Sequence, residues 1–129
     1  MFERHKSDVG LSVTLTDVPA KAGEVYERGE ALIIGEDGYA TKASGSCKVA
    51  YICYEGKEAI EGDMLRVSRV GAHEEYLTTL SADGGELKVG DTVTISEDGL
   101  EITATKGEGA EIISIMDSAK DGKAIVRLK

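Results

Sequence analysis

Residues 35–43 read GEDGYATKA, and residues 96–104 read SEDGLEITA. Each stretch stands behind an apolar run, EALII (30–34) and DTVTI (91–95), and ahead of a segment containing threonine. Asp-Gly between two such runs is a strong short-range hairpin signal, because glycine takes a positive φ without steric cost. The two stretches therefore predict two β-hairpins, turned at Asp37-Gly38 and Asp98-Gly99.

The likeness extends on both sides. ERGEALIIGEDGYATKA (27–43) lies over KVGDTVTISEDGLEITA (88–104) with Gly29 on Gly90, Glu30 on Asp91, Leu32 on Val93 and Ile34 on Ile95. The separation is constant at 61 (90 − 29). Further on, YICY (51–54) parallels ISIM (113–116). EGDML (61–65) parallels DGKAI (121–125), now at a separation of 60 (121 − 61). The repeated unit is Gly-acid, strand, EDG turn, strand, loop, strand, acid-Gly turn, strand. It spans 27–70 and again 88–129. Two copies fit the halves of one pseudo-symmetric domain and are too few for a solenoid. The Gly-acid pair reads as a turn that launches a strand; cation binding by the acid is the alternative.

Other segments carry the same signature. LSVTLTDV (11–18) alternates apolar and polar residues and stops at Pro19. KVAYICY (48–54), MLRVSRV (64–70), EYLTTL (75–80), LEITAT (100–105), AEIISIM (110–116) and KAIVRLK (123–129) complete the strands. The best helical candidate, AGEVYERGEAL (22–32), is interrupted by Gly23 and Gly29. The expectation is an all-β chain of eight or nine short strands. It forms a single domain over 11–129, shaped as a small barrel or β-tulip. MFERHKSD opens an N-terminal arm, taken as residues 1–10.

Composition limits function. Sixteen of 129 residues are Gly, with one Pro, no Trp, one Phe and five Tyr, so aliphatic side chains carry the core. The formal net charge is −9, which argues against nucleic acid and anionic membranes, since both are held by clustered Lys and Arg. No run approaches the roughly 18 apolar residues of a membrane span. MFERHKSDVG lacks an apolar h-region, so a secretory signal is not expected. An intracellular chain would keep Cys47 and Cys53 reduced; a bridge between them is the alternative.

Catalytic patterns fail one by one. His73-Glu74 opens an HExxH motif, but Leu77 stands where the second His belongs. A triad would have to join His73 to Ser46, Ser68, Ser81 or Cys53, and no GxSxG elbow is present. GEGAEI after Lys106 is no phosphate cradle. ADGGELKVGD lacks the ladder of an EF-hand loop. Neither catalytic, metal nor cofactor residues are assigned.

The succession VYERGEALIIGEDGYATKA, KVAYICYEGKEAIEGDMLRV, LKVGDTVTISEDGLEITAT and DGKAIVRL resembles the small decoration proteins of tailed bacteriophages, the cement or head-stabilising proteins. The resemblance covers roughly residues 24–129 and rests on turns and strand patterning; the paired cysteines depart from it. It implies a compact β-barrel or β-tulip on the exterior of an icosahedral head, made in the host cytoplasm. It further implies homotrimers, the major capsid protein as partner, no direct contact with nucleic acid or membrane, no cofactor and no catalysis. The arm would then touch the shell through Phe2, Arg4, His5 and Lys6. Two other readings compete: a lipoyl- or biotinyl-type carrier domain of an enzyme complex, and a hydrolase centred on His73. A carrier needs a lysine at an exposed hairpin tip, and both EDG turns lack one.

Overall fold

The computed structural model describes the chain apart from residues 7–14 and Ala72, and for Lys6 the backbone alone. Among the described residues it contains thirteen strands and no helix: β1 (Glu3–Lys6), β2 (Leu15–Pro19), β3 (Val25–Tyr26), β4 (Ala31–Ile34), β5 (Ala40–Lys42), β6 (Tyr51–Cys53), β7 (Lys57–Glu58), β8 (Met64–Arg69), β9 (Glu75–Thr79), β10 (Thr92–Ile95), β11 (Ile102–Lys106), β12 (Ala110–Ile115) and β13 (Lys123–Leu128). The fold is all-β, as the alternation predicts. Part of the strand expected over 11–18 falls outside the described residues.

Both hairpins form where Asp-Gly predicts them, β4–β5 and β10–β11. Gly38 and Gly99 take φ of 84° and 72°. Asp37 and Asp98 each accept a hydrogen bond from the amide two residues on, at 3.1 and 3.0 Å, an Asx turn that fixes the reversal. Four strands exceed the nine named from sequence. β5 is the return arm of the first hairpin. β1, β3 and β7 are two to four residues long, too short for periodicity to show.

The strands form two main sheets and a ribbon. A five-stranded sheet has the order β2-β8-β6-β4-β5, a six-stranded sheet the order β1-β9-β13-β12-β10-β11, and β3 pairs β7 alone. Without β1, the second order repeats the first: β9, β13, β12, β10 and β11 stand for β2, β8, β6, β4 and β5. The registers agree. Asp17 pairs Arg66 as Leu77 pairs Ile125, and Cys53 pairs Val67 as Ile112 pairs Val126. In each half one isolated parallel bridge joins the end of the first strand to the hairpin's return arm, Ala20 to Ala40 and Leu80 to Ile102. One bridge is no ladder, so neither sheet closes into a barrel, contrary to the expected shape.

Pairing corrects part of the sequence alignment. Tyr51 corresponds to Ala110 and Val67 to Val126, a separation of 59 (126 − 67). YICY therefore lies over AEII (110–113), and Gly62 corresponds to Asp121. Both of these take positive φ, 84° and 67°. Asp121 is the one non-glycine among the described residues to do so.

The Gly-acid pairs launch strands through one device. In the turns ending at Glu30, Asp63 and Asp91 the preceding glycine has positive φ, and the carboxylate accepts the amide three residues back, from Glu27, Ile60 and Lys88. Where a cation was the alternative, the protein supplies its own: Lys42 Nζ lies 3.2 Å from Glu30, and Lys106 lies at the matching place beside Asp91.

Two apolar clusters follow from the layering. The larger joins Val93, Ile112 and Val126 of the six-stranded sheet to Ala31, Ile52 and Val49 of the first half. The smaller lies on the opposite face of the five-stranded sheet, where Leu32, Cys53, Leu65 and Val67 meet Tyr26 and Ala59 from the β3–β7 ribbon. The inner strands β4 and β6 of the five-stranded sheet are thus packed on both faces, with Ala31 and Ile52 in the larger cluster and Leu32 and Cys53 in the smaller.

Candidate interaction surface

The four residues expected to meet a partner sit on or beside β1, and the structure separates them. β1 pairs antiparallel with β9, with a bulge between Arg4 and Lys6, and forms one edge of the six-stranded sheet. Glu3–Lys6 therefore form part of the domain, where a separate arm was expected. Phe2 is 2% exposed within the larger core, and its amide bonds to Gly29 O at 2.8 Å. The lone Phe serves this chain's own packing, which is the commoner fate of a large aromatic. Arg4 is largely buried and ion-paired with Glu74. It lies 5.6 Å over the Tyr76 ring and donates to Arg69 O at 3.3 Å. His5 is exposed, and the Lys6 side chain lies outside the described residues. Of the four, His5 is left as a side chain open to a partner, together with the outer edge of β1.

The clamp under β1 is polar and well bonded. Glu74 accepts from Tyr76 OH at 2.8 Å and from Gly71 N at 3.1 Å. Burial works against ionisation of Glu74, but the bonds from Tyr76, Gly71 and Arg4 outweigh it and hold its pKa below the ordinary value. Burial, then the bond to Glu74, raises the Tyr76 phenol. Sequence reading took Glu74 for half of a failed zinc motif. Its partner is Arg4, 70 residues away in sequence (74 − 4), and no local pattern reports that pairing.

Beside the clamp is a cleft of about 340 Å³, with Arg4, Arg28, Gly29, Cys53, Tyr54 and Tyr76 among its walls. Arg28 stacks 5.5 Å over the exposed Tyr54. The Cys53 thiol donates to Glu55 O at 2.9 Å, and burial first, then the charge of Glu30, pushes its pKa up to about 12. A thiol so held is not a nucleophile at neutral pH. Both cysteines are free. Among the described residues no hydrogen bond joins His73 to Ser46, Ser68, Ser81 or Cys53, and no three His, Cys, Asp or Glu side chains converge on a metal position. What the surface offers is a short sheet edge, exposed aromatic and apolar side chains, and a mixed-charge cleft.

No protein-family model matches the chain, and no curated protein does. Among solved structures the chain is similar to the crystal structure of head fiber gp8.5 N base in bacteriophage phi29. The TM-score is 0.57 at 17% identity, covering 90% of this chain and 95% of that one. At that identity the likeness establishes a shared fold, over most of both chains.

Proposed function

We propose that this protein is a non-enzymatic structural component of a bacteriophage virion. It binds the outer surface of the expanded head and cements the major capsid protein. The observation that carries the reading is the nearly complete fold likeness to a phage head-fiber base, reached independently of the strand and turn patterning that resembles decoration proteins. Cementing is binding linkage: a protein that binds only the expanded lattice stabilises it by its binding free energy at every site. The outer edge of β1, which pairs with no other strand among the described residues, suits recruitment of an extended shell segment by β-augmentation. The net charge of −9 keeps the free protein off the packaged genome and off other virions. The homotrimer implied by the decoration-protein resemblance belongs to the same reading. The carrier reading loses ground, because Lys42 and Lys106 are engaged by Glu30 and Asp91.

The test is gradient sedimentation of a lysate containing the chain. Co-migration with DNA-filled particles, absent from unexpanded shells, supports the reading. Migration only as a small species, with no particle fraction, rejects it.

A further inference from the structure

The cleft beside the Arg4–Glu74 clamp lies where the two halves meet. The first half supplies Arg28, Tyr54 and Ser68 to its walls; Arg4 of β1 and Tyr76 of β9 close the other side. Its volume of about 340 Å³ is at the small end of ligand sites, which favour such junctions and combine apolar walls with a few polar groups.

The charges of the cleft sort by face. Glu3, the acidic residue in its wall, pairs Leu77, whereas Arg4 pairs Tyr76. Successive residues of a strand point to opposite faces, so the Glu3 side chain leaves the side on which Arg4 covers the Tyr76 ring. Arg4 is answered by Glu74. Arg28 is not: among the described residues it makes no ion pair, and its guanidinium stacks on the exposed Tyr54. A second group there is also unanswered. Ser68 is 7% exposed, and among the described residues its hydroxyl has no hydrogen-bond partner. A hydroxyl buried in that way costs stability unless something bonds it.

The repeated unit requires neither group. In the second half the place of Arg28 is taken by Val89. Ser68 and its cross-strand neighbour Ile52 are replaced there by Arg127 and Glu111, an ion pair. An unpaired guanidinium and an unpaired hydroxyl thus occur together in the half whose residues wall the cleft.

We propose that the cleft is a carboxylate-binding site. Arg28 meets the charge, the Ser68 hydroxyl donates to a carboxylate oxygen, and Ile52, Phe2 and the Tyr54 ring, which also line the cleft, hold the apolar body that carries it. A planar guanidinium and a rotatable hydroxyl donor suit a carboxylate. Two sources present that chemistry. One is a small free acid. The other is an Asp or Glu of an extended segment paired to the outer edge of β1, whose alternate side chains fall on the cleft side of the sheet. The inference concerns the chemistry of the cleft and does not depend on the virion reading.

The test follows amide NMR shifts of the isotope-labelled chain during titration with three probes. They are N-acetylphenylalanine, its neutral amide, and a blocked threonine-valine-glutamate-valine-threonine peptide. The carboxylate probes are expected to shift Gly29, Tyr54 and Ser68, and the neutral amide to leave them in place at the same concentration. Arg28→Gln should weaken binding at least ~10-fold, and Ser68→Ala several-fold. Both variants should fold, since Arg28 is exposed and the Ser68 hydroxyl bonds nothing. Peptide binding that also shifts β1 assigns the source to an extended segment; binding of the free acid alone assigns it to a small molecule. No shift with either carboxylate probe, equal binding of the neutral amide, or unchanged affinity in Arg28→Gln overturns the proposal. Particle association in the lysate gradient is a separate readout, so either result can fail without the other.

Discussion

Glu30 and Asp91 occupy the same place in two copies of one turn, but Glu30 is sealed from solvent while the Asp91 side chain keeps 26% of its exposure. The cause is the stacking of the halves. The second EDG turn lies on β4, with Ala31 N donating to Gly99 O at 2.7 Å, and a Cβ at Gly99 would come within 3.2 Å of Glu30 Cγ. The first EDG turn has no such neighbour; Gly38 faces open space. The environments pull the two carboxyls apart. Burial raises Glu30 against the opposing bonds from the Glu27 amide and Lys42. Lys106, then the Lys88 amide, lowers Asp91.

Glu30 has one carboxylate oxygen, Oε1, with no hydrogen-bond partner. A raised folded pKa means that the stabilising share of Glu30 is full below its unfolded pKa, near 4.5, and is lost as pH rises through the folded value. Glu30→Gln should therefore be as stable as the wild type or more so at pH 7, by up to about 1 kcal/mol, with the gap closing toward pH 4.5. Urea unfolding of both proteins across that range checks the sign.

Glu74 should slope the other way. Its folded pKa is lowered, so its contribution is present above the unfolded value near 4.5 and disappears as pH falls through the folded one. Glu74→Gln should lose stability at neutral pH and show a flatter acid limb than the wild type. Asp37, Asp91 and Asp98 are also lowered, so the limb shallows rather than vanishes. Thermal melts from pH 2.5 to 7 measure it.

Phe2→Ala should cost about 3 kcal/mol, the range for a buried Phe truncated to Ala, because its ring is part of the larger core. A terminal segment lying free would show almost no change. Chemical denaturation decides, and amide exchange of β9, the partner of β1, should accelerate alongside.

Positive-φ sites should separate by what surrounds them. Gly90→Ala meets nothing within 4 Å and should cost roughly 1–2 kcal/mol from backbone strain. Gly29→Ala adds a collision with the Met1 side chain and should cost more. Asp121→Gly puts glycine where Gly62 stands in the other half, and should be neutral or stabilising by up to about 1 kcal/mol. Melting temperatures of the three variants rank them.

Much of the fold was readable from local chemistry. Asp37-Gly38 and Asp98-Gly99 specify hairpins because a reversal needs positive φ and a carboxylate that closes it, and both requirements sit within four residues. Alternation of period two identified the long strands, and repetition of Gly29-Glu30 as Gly90-Asp91 announced two copies of one unit. The candidate site was far less readable. Arg4 and Glu74 form a clamp only because β1 pairs with β9, and Phe2 is buried only because that pairing carries it over the core.

The sequence by itself determined the all-β class, the two hairpins and the duplication, since each depends on contacts between near neighbours in the chain. Tertiary structure alone decided that Glu30 is buried while Asp91 is not, and that β1 belongs to the domain. Two copies of a unit must carry similar local patterns, but stacking them head to tail gives each a different set of neighbours. Burial is a property of those neighbours, which no repeat of residues can encode locally.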